Sequence, residues 1–354
     1  MQYTPILQTK KGEMEAVNEL LPDVKENIFP LFEVHCLEYS FADDEYTNDV
    51  EDRVVKIIAS IKKNWGKGKP CYIDIWWLPE NEGMRNGAHA YDAIEGMAAN
   101  EGIEYIPVIY PDSNRATIAA VKRIAALGKS VCLRLPNLPY SKPITELIAD
   151  CLSAISINAN KLHAIIDCTE ITPENGQFFN YYLAKEVVDS PILQTLERVV
   201  LAGTSFPPNL TSIDGDSIDT IPRNEWLMWN RLHQGRGFLE YSDYTISNPE
   251  PQEVDPRFMQ QSASIRYTSH DVFVIVKGRS VKKHPDGWGQ TQHLSQLLIQ
   301  SGHYAGENFS WGDHYISERA QGNVTSGNAT TWRKVGVNHH ISLVVYQITS
   351  LSSA

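Results

Sequence analysis

Seven charged side chains interrupt apolar runs in this 354-residue chain: Glu33 and His35 in FEVH, Asp74 in YIDIW, Arg134 in LRL, Asp167 in IIDC, and Glu240 and Asp243 in GFLEYSDY. Ionised groups inside a packed interior cost several kcal/mol unless they are paired or reach solvent. Their residue types define the available chemistry. Glu33, His35, Asp74 and Asp167 are the catalytic candidates, since carboxylates act as general acid and base and an imidazole shuttles protons near neutrality. Glu33 and Asp74 are also the candidate ligands of a divalent metal ion, the one cofactor this pattern suggests. Arg134 has the planar fork that grips phosphate or carboxylate in two places. With Lys10, Glu240 and Asp243 it makes a ligand-binding set suited to a small anion.

The elements that carry these residues alternate regularly. Apolar runs at 3–8, 28–35, 71–77, 105–110, 131–135, 162–168, 199–205 and 237–244 read as eight strands. Amphipathic helices are expected between them, at 12–21, 49–64, 89–100, 114–127, 143–157, within 178–195, and at 223–232. Parallel strands need such crossovers and bury both faces, so their sequences are near-continuously apolar. Eight repeats and no glycine-rich dinucleotide turn after the first strand favour a closed (β/α)8 barrel over an open sheet. Alternation then aims Asp74, Arg134 and Asp167 into the barrel and puts Glu33 and His35 on one face. Most of these positions fall late in their strands, at the rim where barrel enzymes keep their chemistry.

The pattern changes after Tyr244. A loop is expected at 247–256, a β-hairpin from 264–268 and 272–277, helices at 290–301 and 312–320, and a final amphipathic helix in 332–351. This gives a barrel at 1–246, an elaboration at 247–331 lying over the mouth, and a C-terminal helix at 332–354 that packs back on the barrel. The formal net charge of −12 disfavours nucleic acid and anionic lipid as partners. The five cysteines are odd in number and form no CxxC, which points to reduced thiols and a cytoplasmic setting. No apolar run reaches the ~20 residues that span a bilayer.

Several blocks carry a family likeness. YTPILQTKKGE at the start, SFP at 205–207, PRNEWLMW at 222–229, SDY at 242–244, IRYT at 265–268, FSWGDHYI at 309–316 and GNATTWRKVGVNHHI at 327–341 resemble the beta protein family of phages and bacteria. The resemblance runs nearly end to end. It implies a setting in phage–host conflict, such as antiphage defence, but the family has no agreed activity to transfer. Lys10 matches a lysine of the opening motif, while Gln8 stands where a second lysine is common. Trp311, Asp313, Trp332, Arg333, Asn338 and His339 match the C-terminal blocks. Trp332, Arg333 and His339 thereby join the candidate ligand-binding set.

Two function classes remain open on these residues. One is a hydrolase, of phosphodiesterase type in its metal-assisted version, acting on a small phosphate-containing substrate. The other is a non-catalytic sensor or interaction module that recognises a phage component or a partner protein. A closed layer of ion pairs, with no chemistry, would give the same sequence pattern.

Overall fold

A computed structural model of the chain describes residues 2–40, 44–79, 83–171, 177–249 and 261–352. Eight parallel strands close into a barrel: β1 (Tyr3–Leu7), β2 (Leu31–Glu33), β3 (Cys71–Asp74), β4 (Tyr105–Ile109), β5 (Val131–Pro136), β6 (Leu162–Glu170), β7 (Arg198–Thr204) and β8 (Leu239–Asp243). β1 pairs with both β2 and β8, which leaves no edge. The expected (β/α)8 architecture is therefore present.

Alternation along each strand sorts the side chains. Ile6, Leu31, Tyr72, Val108, Cys132, Ile165 and Val200 fill the interior, while Tyr3, Phe32, Ile73, Leu133 and Ile166 pack outward under the helices. Local signals set the helix limits. Asp49 caps the helix Val50–Asn64 by accepting from Asp52 N at 2.9 Å, and Gly102 ends the helix Ala90–Glu101 in a left-handed conformation. None of the five cysteines is in a disulfide, as expected. Among the described residues, no helix is long and apolar enough to cross a membrane.

The C-terminal part forms the expected hairpin, Ser262–Thr268 with Val272–Ser280, but as two strands of a three-stranded antiparallel sheet. The third strand, Ser217–Pro222, comes from the connection between β7 and its helix Asn224–His233. Polar side chains and a flanking proline hid it from the sequence reading. The helix Thr291–Gln300 backs this sheet, and the helix Trp311–Gln321 packs on that helix and on the final helix. The final helix, Ala329–Ser352, returns to the barrel and lies beside the helix Lys11–Asn18. Part of the loop expected at 247–256 lies outside the described residues.

Candidate functional site at the barrel mouth

The interior of the barrel ends, at its C-terminal rim, in a layer built around one arginine. Arg134 is buried and spends its whole fork on protein acceptors. Nη1 donates to Glu33 Oε1 and to Asp74 Oδ2, both at 2.8 Å. Nε donates to Asp167 Oδ2 at 2.9 Å, and Nη2 to Tyr244 Oη at 2.7 Å. Tyr110 and Tyr244 in turn donate to Asp74 Oδ2 and Asp167 Oδ2, each at 2.5 Å. Burial opposes the charge on Arg134, yet the surrounding phenols and carboxylates raise its pKa well above the ordinary value.

The strand ends fix this geometry. Asp74 Oδ1 accepts from Trp76 N, and Asp167 Oδ1 from Thr169 N, each at 2.9 Å, so Asp74 turns the chain out of its strand and Asp167 sits at a register shift near the end of β6. Thr9, Thr169 and Thr245, just past or at the ends of β1, β6 and β8, have φ values of 55°, 52° and 56°. Such left-handed conformations are strained for a β-branched residue, costing of order 1–3 kcal/mol each.

Glu33 differs from its two partners. Its Oε1 meets Arg134, but its Oε2 is buried with no hydrogen-bond partner among the described residues. Burial raises its pKa to about 7, with Arg134 opposing and the neighbouring Asp74 reinforcing the rise. A carboxylic acid is thus stabilised beside two carboxylates. Glu33, Arg134, Asp167, Tyr110 and Tyr244 line a cavity of about 350 Å³ with Trp76, Trp77, Asn137, Thr169 and Glu170, while Asp74 stays behind that surface.

The donor set does not fit a divalent cation at Glu33 and Asp74. Both oxygens of Asp74 are occupied, and a metal ion there would have to displace a guanidinium. Among the described residues, no group of three histidine, cysteine, aspartate or glutamate side chains is arranged to hold a metal. Nor is Arg134 an anion clamp, because its donors are consumed by the three acids.

Other expected site residues lie elsewhere. β2 stops at Glu33, so alternation no longer applies at His35, which lines a separate groove between the helices Lys11–Asn18 and Val50–Asn64. Burial and the charges of Lys10 and Arg53 push its imidazole down to about 4. Glu240 sits near the start of β8, at the opposite end of the barrel, and pairs with Arg198. Asp243 faces outward beneath the last helix, where it meets His340 Nε2 at 2.9 Å and Tyr241 Oη at 2.8 Å. His339 is buried too, with Nδ1 2.8 Å from Asp313 Oδ2 and Nε2 2.7 Å from Thr268 O. Trp332 packs in the core of the C-terminal sheet, its indole donating to Ser326 O at 3.0 Å. These four residues fasten the fold.

Lys10 and Arg333 do meet, in a cleft of about 370 Å³ at the rim near the ends of β1, β7 and β8. Its other wall is the C-terminal sheet, through Ser262, Ser264, Arg266 and Lys277. Among the described residues, that sheet does not wall the Arg134 cavity, so the expected cover is displaced to one side of the mouth. The sequence reading missed Tyr110, Tyr244 and Arg266 as site residues. The tyrosines share the inward parity of Val108 and Ser242, and Arg266 is the one charge in its strand, flanked by buried Ile265 and Tyr267.

A closed α/β barrel with a charged layer at its C-terminal rim is the class that fold and site define. The chain belongs to the Beta protein family, whose model matches residues 3–346. No curated protein matches it. Two solved structures are similar over nearly the full length: the N-terminal domain of an aldolase candidate from Bacteroides vulgatus and the chitinase domain of the spore coat protein CotE from Clostridium difficile. The first is 11% identical, covers 99% of this chain and 97% of its own, and superposes with a TM-score of 0.37. The second is also 11% identical, covers 99% and 94%, and has a TM-score of 0.28.

Proposed function

We propose that the barrel mouth is the active site of a hydrolase that uses Glu33 as a general acid without a metal ion. The carrying observation is the state of Glu33: a carboxyl whose pKa is raised to about 7, with one oxygen unpartnered, lining a cavity at the strand ends. An acid poised near neutrality protonates a leaving group efficiently and recovers its proton from water. The unmet hydrogen bond costs roughly 1–3 kcal/mol in the empty site, which an oxygen atom of a bound ligand would offset. Arg134 acts as a positioning residue. It fixes the Oε1 side of Glu33 and pairs with Asp74 and Asp167 beside it. The strained threonines at the rim support the same reading, since strain of this kind concentrates at functional sites.

The test is hydrolysis of a panel of small chromogenic phosphate and glycosyl esters, as a function of pH, by the full chain and by Glu33→Gln. The expected result is turnover that falls as pH rises through about 7 and is lost in the variant. Turnover that survives the substitution sinks the proposal. So does a silent panel combined with a Glu33 carboxyl that titrates in the ordinary carboxylate range by NMR. In the phage–host setting that accompanies the family likeness, Glu33→Gln should abolish any protective phenotype. A phenotype that survives would favour the sensor module.

A further inference from the structure

The second cleft at the rim gathers positive charge that the described carboxylates only partly balance. Lys10, Arg266, Lys277 and Arg333 line it, and among the described residues no aspartate or glutamate does. Lys277 is partly used, donating to Leu210 O at 2.7 Å and Ile213 O at 2.5 Å, which holds the rim loop after β7 in place. Arg333 gives Nη1 to Glu13 at 3.0 Å and to Ser247 Oγ at 2.8 Å, leaving Nε and Nη2 without a protein acceptor among the described residues.

Arg266 is less satisfied still. Its one hydrogen bond runs from Nη1 to Ile246 O at 3.2 Å, and its guanidinium lies 5.0 Å from the centroid of the Phe206 ring. Among the described residues it has no carboxylate partner. Lys10 Nζ likewise has none. Burial and the charge of Arg333 together lower the pKa of both, that of Arg266 to about 9. Glu13 pairs with Arg333 alone, so Lys10 and Arg266 are held beside a third cation with no carboxylate of their own among the described residues, and such charges repel one another unless an anion joins them. Ser262 and Ser264 add hydroxyl donors to the same wall.

We propose that this cleft is a binding site for a phosphate group, contacted by Lys10, Arg266 and Arg333. Three cationic groups in different orientations suit a tetrahedral dianion better than a planar carboxylate. The position agrees, since the loops after the seventh and eighth strands are where barrels frequently seat phosphate. This site is distinct from the Glu33 cavity and does not depend on any chemistry there.

The test is calorimetric titration of the full chain with inorganic phosphate at constant ionic strength, beside Lys10→Met and Arg266→Gln. Saturable binding is expected in the wild type, weakened about ten- to a hundredfold in each variant, the loss typical of one charge-assisted hydrogen bond. Without phosphate, Lys10→Met should melt at a temperature no lower than the wild type, because it removes a buried, repelled charge. That separates lost binding from lost folding. No saturable binding, equal binding of chloride, or affinity unchanged in both variants overturns the proposal. Glu33→Gln should bind phosphate like the wild type, so failure here and failure of the hydrolase reading are distinguishable.

Discussion

Arg134 and Glu33 are 101 residues apart in sequence and meet at 2.8 Å, yet the contact satisfies only one oxygen of the glutamate. The asymmetry makes Glu33 the titrating member of the layer. Its folded pKa, about 7, lies above the unfolded value, so the folded chain binds the extra proton between the two. Stability contributed by this group is full below the ordinary carboxylate range and is lost as pH rises through about 7. The loss is of the order of a few kcal/mol. Urea unfolding at pH 5 and pH 8 should show it in the wild type. Glu33→Gln should shrink that difference, leaving the share of Glu225, which burial also raises to about 7.

Removing the arginine should be far more damaging than removing the acid. Arg134→Met leaves the buried side chains of Asp74 and Asp167 without their shared cation. A cost of about 3–5 kcal/mol at neutral pH is expected. Urea unfolding of the variant beside the wild type at pH 7 checks this, and a cost no larger than that of Glu33→Gln would count against it.

Gly336 tests how the basic cleft is held. A Cβ there would meet Arg266 O at 2.5 Å and Ile246 Cδ1 at 2.6 Å, so the last helix touches the very strand that presents Arg266. Gly336→Ala should push that strand away, costing about 1–3 kcal/mol in stability. Phosphate affinity should fall with it, although no cleft side chain is altered. Titration calorimetry on the folded variant reads this directly.

The barrel was legible because both periodicities are strong. Alternation placed Asp74, Arg134 and Asp167 inward, and the structure puts them there. It failed where a strand stopped or where the two ends of the barrel had to be told apart. His35 lies past the end of β2, and Glu240 shares the inward parity of Tyr244 while sitting near the opposite opening. Asp243 has the outward parity, a distinction available from its flanking Ser242 and Tyr244. His339 and His340, adjacent on the last helix, project in different directions: one meets Asp313, the other Asp243. What no periodicity could reveal is that Arg134 would be saturated. That depends on three carboxylates converging from different strands, a matter of tertiary distance.

The helix Ala329–Ser352 seals the flank of the barrel against the helix Lys11–Asn18, with Asn338 Nδ2 donating to Ala16 O at 3.1 Å across 322 residues of chain. During synthesis the helix Lys11–Asn18 therefore emerges long before the surface that will cover it exists. The apolar side formed by Met14 and Val17 has to stay soluble until residues 329–352 have been made. Nonsense or frameshift lesions upstream of residue 329 would accordingly be expressed as aggregation that begins at the helix Lys11–Asn18.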